Sequence, residues 1–223
     1  MEAIELEVKK LIDSGFIRKE QHPDWVAIIV PVTKRNWNIQ ICIDFCDLNA
    51  AYPKDEFSLL ITDVMIDNTC GFERMSFMDG FSRYNQIKMY TEDEKHTSFR
   101  TPLGVYCYIL MPFGLKNVGT TYQRAMNMIF HKHIRKTIEW NMDDIIVKSH
   151  SKGDNIVDLK RVFSIMWAHQ LKMNPTKSLL GVASGKFLGF VVTSKGIHLD
   201  PEKVCVIQEM QPPKNLRDLR GLQ

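Results

Sequence analysis

The sequence has 223 residues, 44% hydrophobic and 25% charged, with a formal net charge of +3. That balance excludes disordered, collagen-like and coiled-coil chains and predicts one large or two small packed domains. The longest apolar run, Val26 to Val32, is broken by Pro31 and falls far short of the roughly 20 residues of a membrane span. The N-terminus carries Glu2 and Glu5 where a leader peptide carries bases, so the expected setting is intracellular and cytoplasmic.

Ile4, Val8, Leu11 and Ile12 recur at helical spacing up to Gly15, which predicts an opening amphipathic helix. Val26 to Val32 reads as a buried strand. Ile39, Ile41, Ile43 and Phe45 alternate with polar residues as a half-buried strand does, and Lys34 to Asn38 reads as the hairpin tip between the two. Asn49 to Leu60 reads as a loop, Thr62 to Thr69 as a short helix, and Met75 to Met78 as a strand ending at Asp79. Further strands are expected at Ile87 to Met89, Thr97 to Thr101 and Val105 to Leu110.

Leu115, Val118, Tyr122, Ala125, Met126 and Ile129 mark one helix face just after Pro112-Phe113-Gly114. Ile138 to Trp140 and Ile145 to Val147 form the arms of a predicted hairpin with Asp143 and Asp144 at its turn. A helix with Ile156, Leu159, Val162, Phe163 and Met166 on its face follows. Strands are then expected at Phe187 to Val192 and Gly196 to Leu199, and a helix from Asp200-Pro201 to Pro212-Pro213, with another beginning before Gln223. The five cysteines are an odd number without a Cys-x-x-Cys pair, so neither a disulfide framework nor a zinc site is read; they are expected to be reduced core thiols. Between His131 and Lys177 nine Lys or Arg stand against five Asp or Glu. On charge alone such a stretch reads as a solvated face.

Adjacent carboxylates at a turn are costly, since like charges about 4 Å apart repel by roughly 4 kcal/mol at an effective dielectric of 20. A bound cation removes that cost. Neighbouring strand residues face opposite ways, so Asp143 and Asp144 need a third carboxylate from another strand, and Asp79 is the candidate. Three such groups on adjoining strand ends suit two Mg²⁺ ions about 3.5 to 4 Å apart, as in polymerases, nucleases and phosphatases. By spacing alone an Asp-Asp turn reads more often as a solvated surface pair.

Several phrases, in order, resemble the reverse transcriptase of gypsy-type LTR retrotransposon Pol polyproteins, plant members especially. They are Asp44-Phe45-x-Asp47-Leu48-Asn49, Ser76-Phe77-Met78-Asp79-Gly80-Phe81-Ser82-x-Tyr84-Asn85-Gln86-Ile87, Met111-Pro112-Phe113-Gly114-Leu115-Lys116-Asn117, Met142-Asp143-Asp144 and Gly185-Lys186-Phe187-Leu188-Gly189-Phe190. The resemblance runs from about Leu11 to Gln223. It implies an α+β fold, the fingers and palm of a right-hand polymerase with an antiparallel palm sheet backed by helices. Residues 1–60 and 90–120 would form the fingers, 61–89 and 121–210 the palm, and 211–223 the start of a following region. Protease would precede Met1, and thumb, connection and RNase H would follow Gln223.

Site residues follow by the same resemblance. Asp79, Asp143 and Asp144 match the catalytic, metal-binding aspartates, for two Mg²⁺ ions with Mn²⁺ as an alternative. Lys34 and Arg35 would meet phosphates, Tyr84 would abut the incoming sugar and disfavour ribose, and Phe113 and Gly114 would lie beside the nascent base pair. Met142, Phe187, Leu188 and Gly189 would support the primer end. The implied partners are an RNA or DNA template with its primer, deoxynucleoside triphosphates and the remaining Pol regions, with no membrane. From residue pattern alone Tyr84 also reads as a core tyrosine, Phe113-Gly114 as a turn before a helix, and Phe187 to Gly189 as a plain buried strand.

Four positions depart from the family pattern. Asn141 stands for a tyrosine that seats the primer, Ile39-Gln40 for Trp-Arg, Arg83 for a glycine, and Leu59-Leu60 for Leu-Pro. The missing arginine removes a charge-assisted grip on the triphosphate worth roughly 1.5 to 3 kcal/mol. The function expected is RNA-directed DNA polymerisation, weakened or defective in this chain; the alternative is a catalytically dead relic with residual nucleic-acid binding. A Mg²⁺-dependent nuclease or cyclase is a third reading, and it has no use for the phrases around Tyr84 and Phe113.

Overall fold

The computed structural model describes residues 2–33, 39–57, 61–81, 83–142, 144–210 and 212. The expected tip at Lys34 to Asn38, Leu59-Leu60, Asp143, the side chain of Arg83 and the last expected helix lie outside the described residues. Helix α1 (Glu2–Asp13) ends as predicted at Gly15, whose φ of +69° is the left-handed conformation that glycine adopts without strain. Its Val8 packs with Ile17, Ala27, Phe45, Phe99, Tyr106 and Tyr108 in a first core. Strands β1 (Ile17–Lys19), β5 (Phe99–Thr101) and β6 (Gly104–Tyr108) form a sheet of order β1-β6-β5 over that core. Only a bridge from Lys88 to Leu110 forms where a strand is expected at Ile87 to Met89, and α4 (Thr91–Glu94) with a 3-10 turn precedes β5.

Strands β2 (Ile28–Thr33) and β3 (Ile39–Asp44) pair antiparallel, from Ile28 opposite Asp44 to Thr33 opposite Ile39. The run read as buried is largely exposed, Ile28 at 73%, because only one face of this two-stranded ribbon, with Ile29, Ile41 and Ile43, packs against the first core. Helix α2 (Cys46–Ala51) replaces the start of the loop expected from Asn49. Six residues are too few to show helical periodicity, and Asp44 Oδ1 opens the turn by accepting from the Cys46 amide at 2.9 Å. Helix α3 (Thr62–Thr69) forms as predicted.

The second sheet positions the site. It has the order β7-β8-β4-β9, from β4 (Arg74–Gly80), β7 (Ile138–Asn141), β8 (Asp144–Ser149) and β9 (Met173–Val182), all antiparallel. One face packs Met78, Trp140, Ile145 and Val147 on α5 (Val118–Phe130) and α6 (Lys152–Ala168), through Tyr122, Met126, Phe130, Val162 and Met166. Helix α6 is rotated from the expected face: Asn155, Val162 and Met166 are buried while Ile156 is 56% exposed. The other face packs Met75, Phe77 and Ile146 against Met65 and Ile66 of α3 and against Phe187 and Val192. Those last two belong to a meander of β10 (Ser184–Phe187), β11 (Phe190–Thr193) and β12 (Gly196–Leu199). The single strand expected over Phe187 to Val192 is therefore two strands, folded back at Leu188 and Gly189, whose φ values are +52° and +85°.

Strand β9 leaves no period of two in the sequence, because its register shifts twice against β4. Side chains complete the broken ladder. Ser178 Oγ accepts from the Asp79 amide at 3.2 Å, and Ser76 Oγ accepts from the Gly181 amide at 2.9 Å. Of the five cysteines only Cys107 is buried, which corrects the core-thiol expectation; its thiol is pushed up to about 12, mainly by burial. Among the described residues no helix is long and apolar enough to cross a membrane.

Two consequences of this packing are measurable. A Cβ on Gly185 would overlap the buried ring of Phe77, so Gly185→Ala is expected to cost about 1 to 3 kcal/mol in urea denaturation, as overpacked cores do. Wild-type stability in that variant would show that β10 floats free of β4. The second consequence concerns α7 (Pro201–Glu209), capped by Asp200, whose carboxylate accepts from the Glu202 amide at 3.1 Å and pairs with Lys186 at 3.1 Å. Burial pushes this carboxyl up, but Lys186 and the Glu202 amide outweigh it and hold its pKa below the ordinary value. A depressed carboxylate stabilises above its unfolded pKa and loses that contribution as pH falls. Protection factors for amide exchange in α7 are therefore expected to fall below about pH 4, with those of α5 unchanged over the same range. An α7 indifferent to acid would refute the anchor.

Candidate active site

Asp79 is the penultimate residue of β4 and Asp144 the first of β8, and the two are direct register partners. Asn141 opposes Asp144 on one side and Asn174 opposes Asp79 on the other. Opposed residues of antiparallel strands lie about 4.5 to 5.5 Å apart at Cα and point to the same face. The row Asn141, Asp144, Asp79, Asn174 thus crosses the sheet on the face that carries Phe77 and Ile146, one step beyond the core beneath the meander. Directly opposed like charges destabilise a sheet. Lys177 Nζ stands 3.9 Å from the Asp79 carboxylate on a side chain 69% exposed, which offsets that repulsion only weakly.

Asn141 at the end of β7 pairs with Asp144 at the start of β8. Met142, which follows Asn141, has φ of +47° and an exposed side chain. Asp143 lies outside the described residues, as do Lys34 and Arg35. Among the described residues no three His, Cys, Asp or Glu side chains gather as a metal set. The described part of the predicted trio is the opposed pair Asp79 and Asp144, whose hard carboxylate oxygens fit Mg²⁺.

Tyr84 meets its core-tyrosine reading. It is 8% exposed in the core with Met78, and its ring meets Phe113 edge-on at 5.3 Å and Tyr122 at 5.4 Å. Phe113 is half exposed, so the pair runs from the core to the surface. Gly114 has φ of +96°, and a Cβ there would touch Phe45 at 3.4 Å, so the turn before α5 requires glycine. Phe187 is buried in the core beneath the meander, whereas Leu188 and Gly189 form its first turn.

Two side-chain amides outside the predicted site residues, Asn49 and Gln86, hold these parts in place. Asn49 Nδ2 donates to the Gly114 carbonyl and its Oδ1 accepts from the Lys116 amide, both at 2.7 Å, clamping the turn around Phe113 to α2. Gln86 donates to the carbonyls of Phe81 and Lys172 and accepts from the Lys172 amide, tying the loop between Asp79 and Tyr84 to the approach of β9. Their only signal was membership of the Asp47-Leu48-Asn49 and Tyr84-Asn85-Gln86 phrases. Gln40 is exposed on β3 opposite Val32.

An antiparallel sheet backed by helices is a fold this chain shares with solved viral enzymes. A foamy viral protease-reverse transcriptase in complex with double-stranded DNA superposes with a TM-score of 0.87 at 21% identity, over 98% of this chain and 38% of that one. The same enzyme in complex with an RNA/DNA hybrid superposes with a TM-score of 0.85 at 20% identity, over 99% and 29%. The family model described as reverse transcriptase (RNA-dependent DNA polymerase) matches residues 30–192, and the chain belongs to that family. The retrovirus-related Pol polyprotein from transposon gypsy of Drosophila melanogaster is 30% identical over 96% of this chain, and that from transposon opus 29% over 97%. The Tf2-3 polyprotein of Schizosaccharomyces pombe is 24% identical over 99%. The chain spans 22%, 21% and 16% of the opus, gypsy and Tf2-3 proteins.

Proposed function

We propose that the chain acts inside the cell, in the cytoplasm, as the fingers and palm of an RNA-directed DNA polymerase that adds deoxynucleotides to a primer 3′ end, with reduced catalytic power. The observation that carries this is the register pairing of Asp79 with Asp144 at the exposed end of one sheet face. Asp79, Asp143 and Asp144 would hold two Mg²⁺ ions, or Mn²⁺ in their place. Such ions, when bound, stabilise the attacking and leaving oxygens of an in-line displacement.

The chain's own residues do the rest. Tyr84, fixed by Phe113 and Tyr122, limits the space beside a sugar, and Phe113 offers a ring to the nascent base pair. Lys34 and Arg35 meet the triphosphate or template phosphates, and Met142 with Phe187 to Gly189 supports the primer end. Residues 1–60 and 90–120 serve as fingers and 61–89 with 121–210 as palm, a division supported by the separate core under β1, β5 and β6. Template, primer, deoxynucleoside triphosphates and the remaining Pol regions are its partners.

Primer extension on an RNA template tests this, with the parent chain, a chain repaired at Gln40 and Asn141, and Asp79→Asn and Asp144→Asn in both. Mg²⁺-dependent extension that disappears with either aspartate supports a polymerase. Silence of the repaired chain as well favours the relic, to which the departures at Gln40 and Asn141 also point.

A further inference from the structure

The cations that open the basic stretch, from Lys132 to Lys136, are not used by the site above. Their turn and the first half of α6 enclose the far end of the four-stranded sheet, where Arg74 opposes Ser149. Five residues of β4 separate that row from Asp79, about 17 Å at 3.3 Å per residue, too far for one nucleotide to span both.

A cavity of about 620 Å³ opens there, lined among others by Arg135, Lys136, Arg161, Phe72, His150 and Val157. Arg135 holds φ of +62°, a conformation uncommon for a side chain of its size. Among the described residues neither Arg135 nor Lys136 has a carboxylate within ion-pair distance. The acids of the lining are engaged: Asp158 accepts from Ser149 Oγ at 2.8 Å and lies 3.5 Å from Arg161, and Asp154 accepts from Ser151 Oγ at 2.7 Å. Lys148 in the wall is matched by Glu139 at 2.7 Å. Burial, then Arg161 and Lys136, push the nearby His133 imidazole below its usual pKa, as a positive local field would. Beside the cations the rings of Phe72 and His150 meet at 4.7 Å, tilted by 36°, with Lys148 Nζ 5.0 Å over the Phe72 ring, and Val157 adds exposed apolar surface.

We propose that this cavity binds single-stranded nucleic acid through one nucleotide, its base against the Phe72 and His150 rings and the flanking phosphates on Arg135, Lys136 and Arg161. Cations beside aromatic rings, two of them, Arg135 and Lys136, without an ion-pair partner among the described residues, are the combination that sequence-tolerant single-strand sites use. The volume falls in the range of small-ligand pockets. The site is separate from the aspartate row, so a strand held here occupies a second surface of the same domain.

The test uses the full chain and a labelled oligothymidylate of about ten nucleotides, with ultraviolet cross-linking and peptide mapping to assign the site. Adducts are expected on the peptides that carry Phe72 and His150. With three phosphate contacts, half-saturation of those adducts should weaken about 20-fold between 50 and 200 mM salt. In Arg135→Gly/Arg161→Gln, which keeps a residue suited to the left-handed turn, the same change should be only about 3-fold. Asp79→Asn should leave these adducts unchanged, which separates the site from the proposed polymerase centre whether or not that centre is active. Adducts confined to Tyr84 and Phe113, or an unaltered salt response in the double variant, would overturn the proposal. So would displacement by polyglutamate or by free dTTP at the concentration where the oligonucleotide itself competes, which would assign the cavity to an acidic peptide or to a free nucleotide.

Discussion

Gln40→Arg is expected to raise the efficiency of nucleotide incorporation by about 10- to 150-fold, the kinetic equivalent of roughly 1.5 to 3 kcal/mol from one charge-assisted contact to a phosphate. The position can take the larger side chain, because Gln40 is exposed on β3 opposite the exposed Val32. Asn141→Tyr acts on a different element, next to Asp144 across the β7-β8 hairpin, and is expected to improve primer seating rather than nucleotide affinity. The two repairs should therefore multiply. The parent chain is expected to show no extension above its Asp144→Asn control, and the doubly repaired chain to show extension abolished by Asp144→Asn. Single-nucleotide incorporation on an RNA template, with KM and kcat separated, checks both halves. Robust extension by the parent would mean that neither departure matters.

The strands that carry the row were legible in sequence because they are short continuous apolar runs, buried on both faces; β4 and the β7-β8 arms pair without a slip, which sets Asp79 opposite Asp144. Legibility failed where tertiary contacts replaced local pattern. Two register shifts hid β9, and side-chain bonds from Ser76 and Ser178 stand in for the missing ladder. The turn at Leu188 and Gly189 was hidden inside a continuous apolar phrase, since Leu188 takes a positive φ that hydrophobicity does not announce. In α6 two apolar stripes compete, and the sheet selects the one containing Asn155, whose amide donates to Ser149 Oγ at 3.4 Å. Asn49 and Gln86 act through backbone groups 65 and 86 residues away, which no local window can register.

The same sheet face carries a second charge arrangement whose removal is expected to have the largest effect on stability. Lys148 and Glu139 pair at 2.7 Å with side chains 1% and 4% exposed, and Lys148 also donates to the Asn68 carbonyl and lies 5.0 Å over the Phe72 ring. Burial pushes the Glu139 carboxyl up even though Lys148 pulls it down. Lys148→Met leaves that carboxylate buried without its partner, and breaking a buried pair from one side costs about 3 to 5 kcal/mol. The pH dependence has a fixed sign. A carboxyl whose folded pKa is raised binds its proton more tightly in the folded state, so its contribution falls as pH rises from the ordinary carboxylate value through the folded one. Without Lys148 that folded value rises further, so the deficit should be full near neutral pH and shrink on acidification as Glu139 takes up a proton. Glu139→Leu/Lys148→Met should recover most of the loss, since an apolar replacement of a buried pair is often neutral, leaving about 1 to 3 kcal/mol for the Asn68 carbonyl if it loses its donor. Urea denaturation of the three proteins at neutral and mildly acidic pH checks this. A Lys148→Met chain within about 1 kcal/mol of the parent at neutral pH would mean that water reaches Glu139 and that the pair stabilises no more than a surface bridge does.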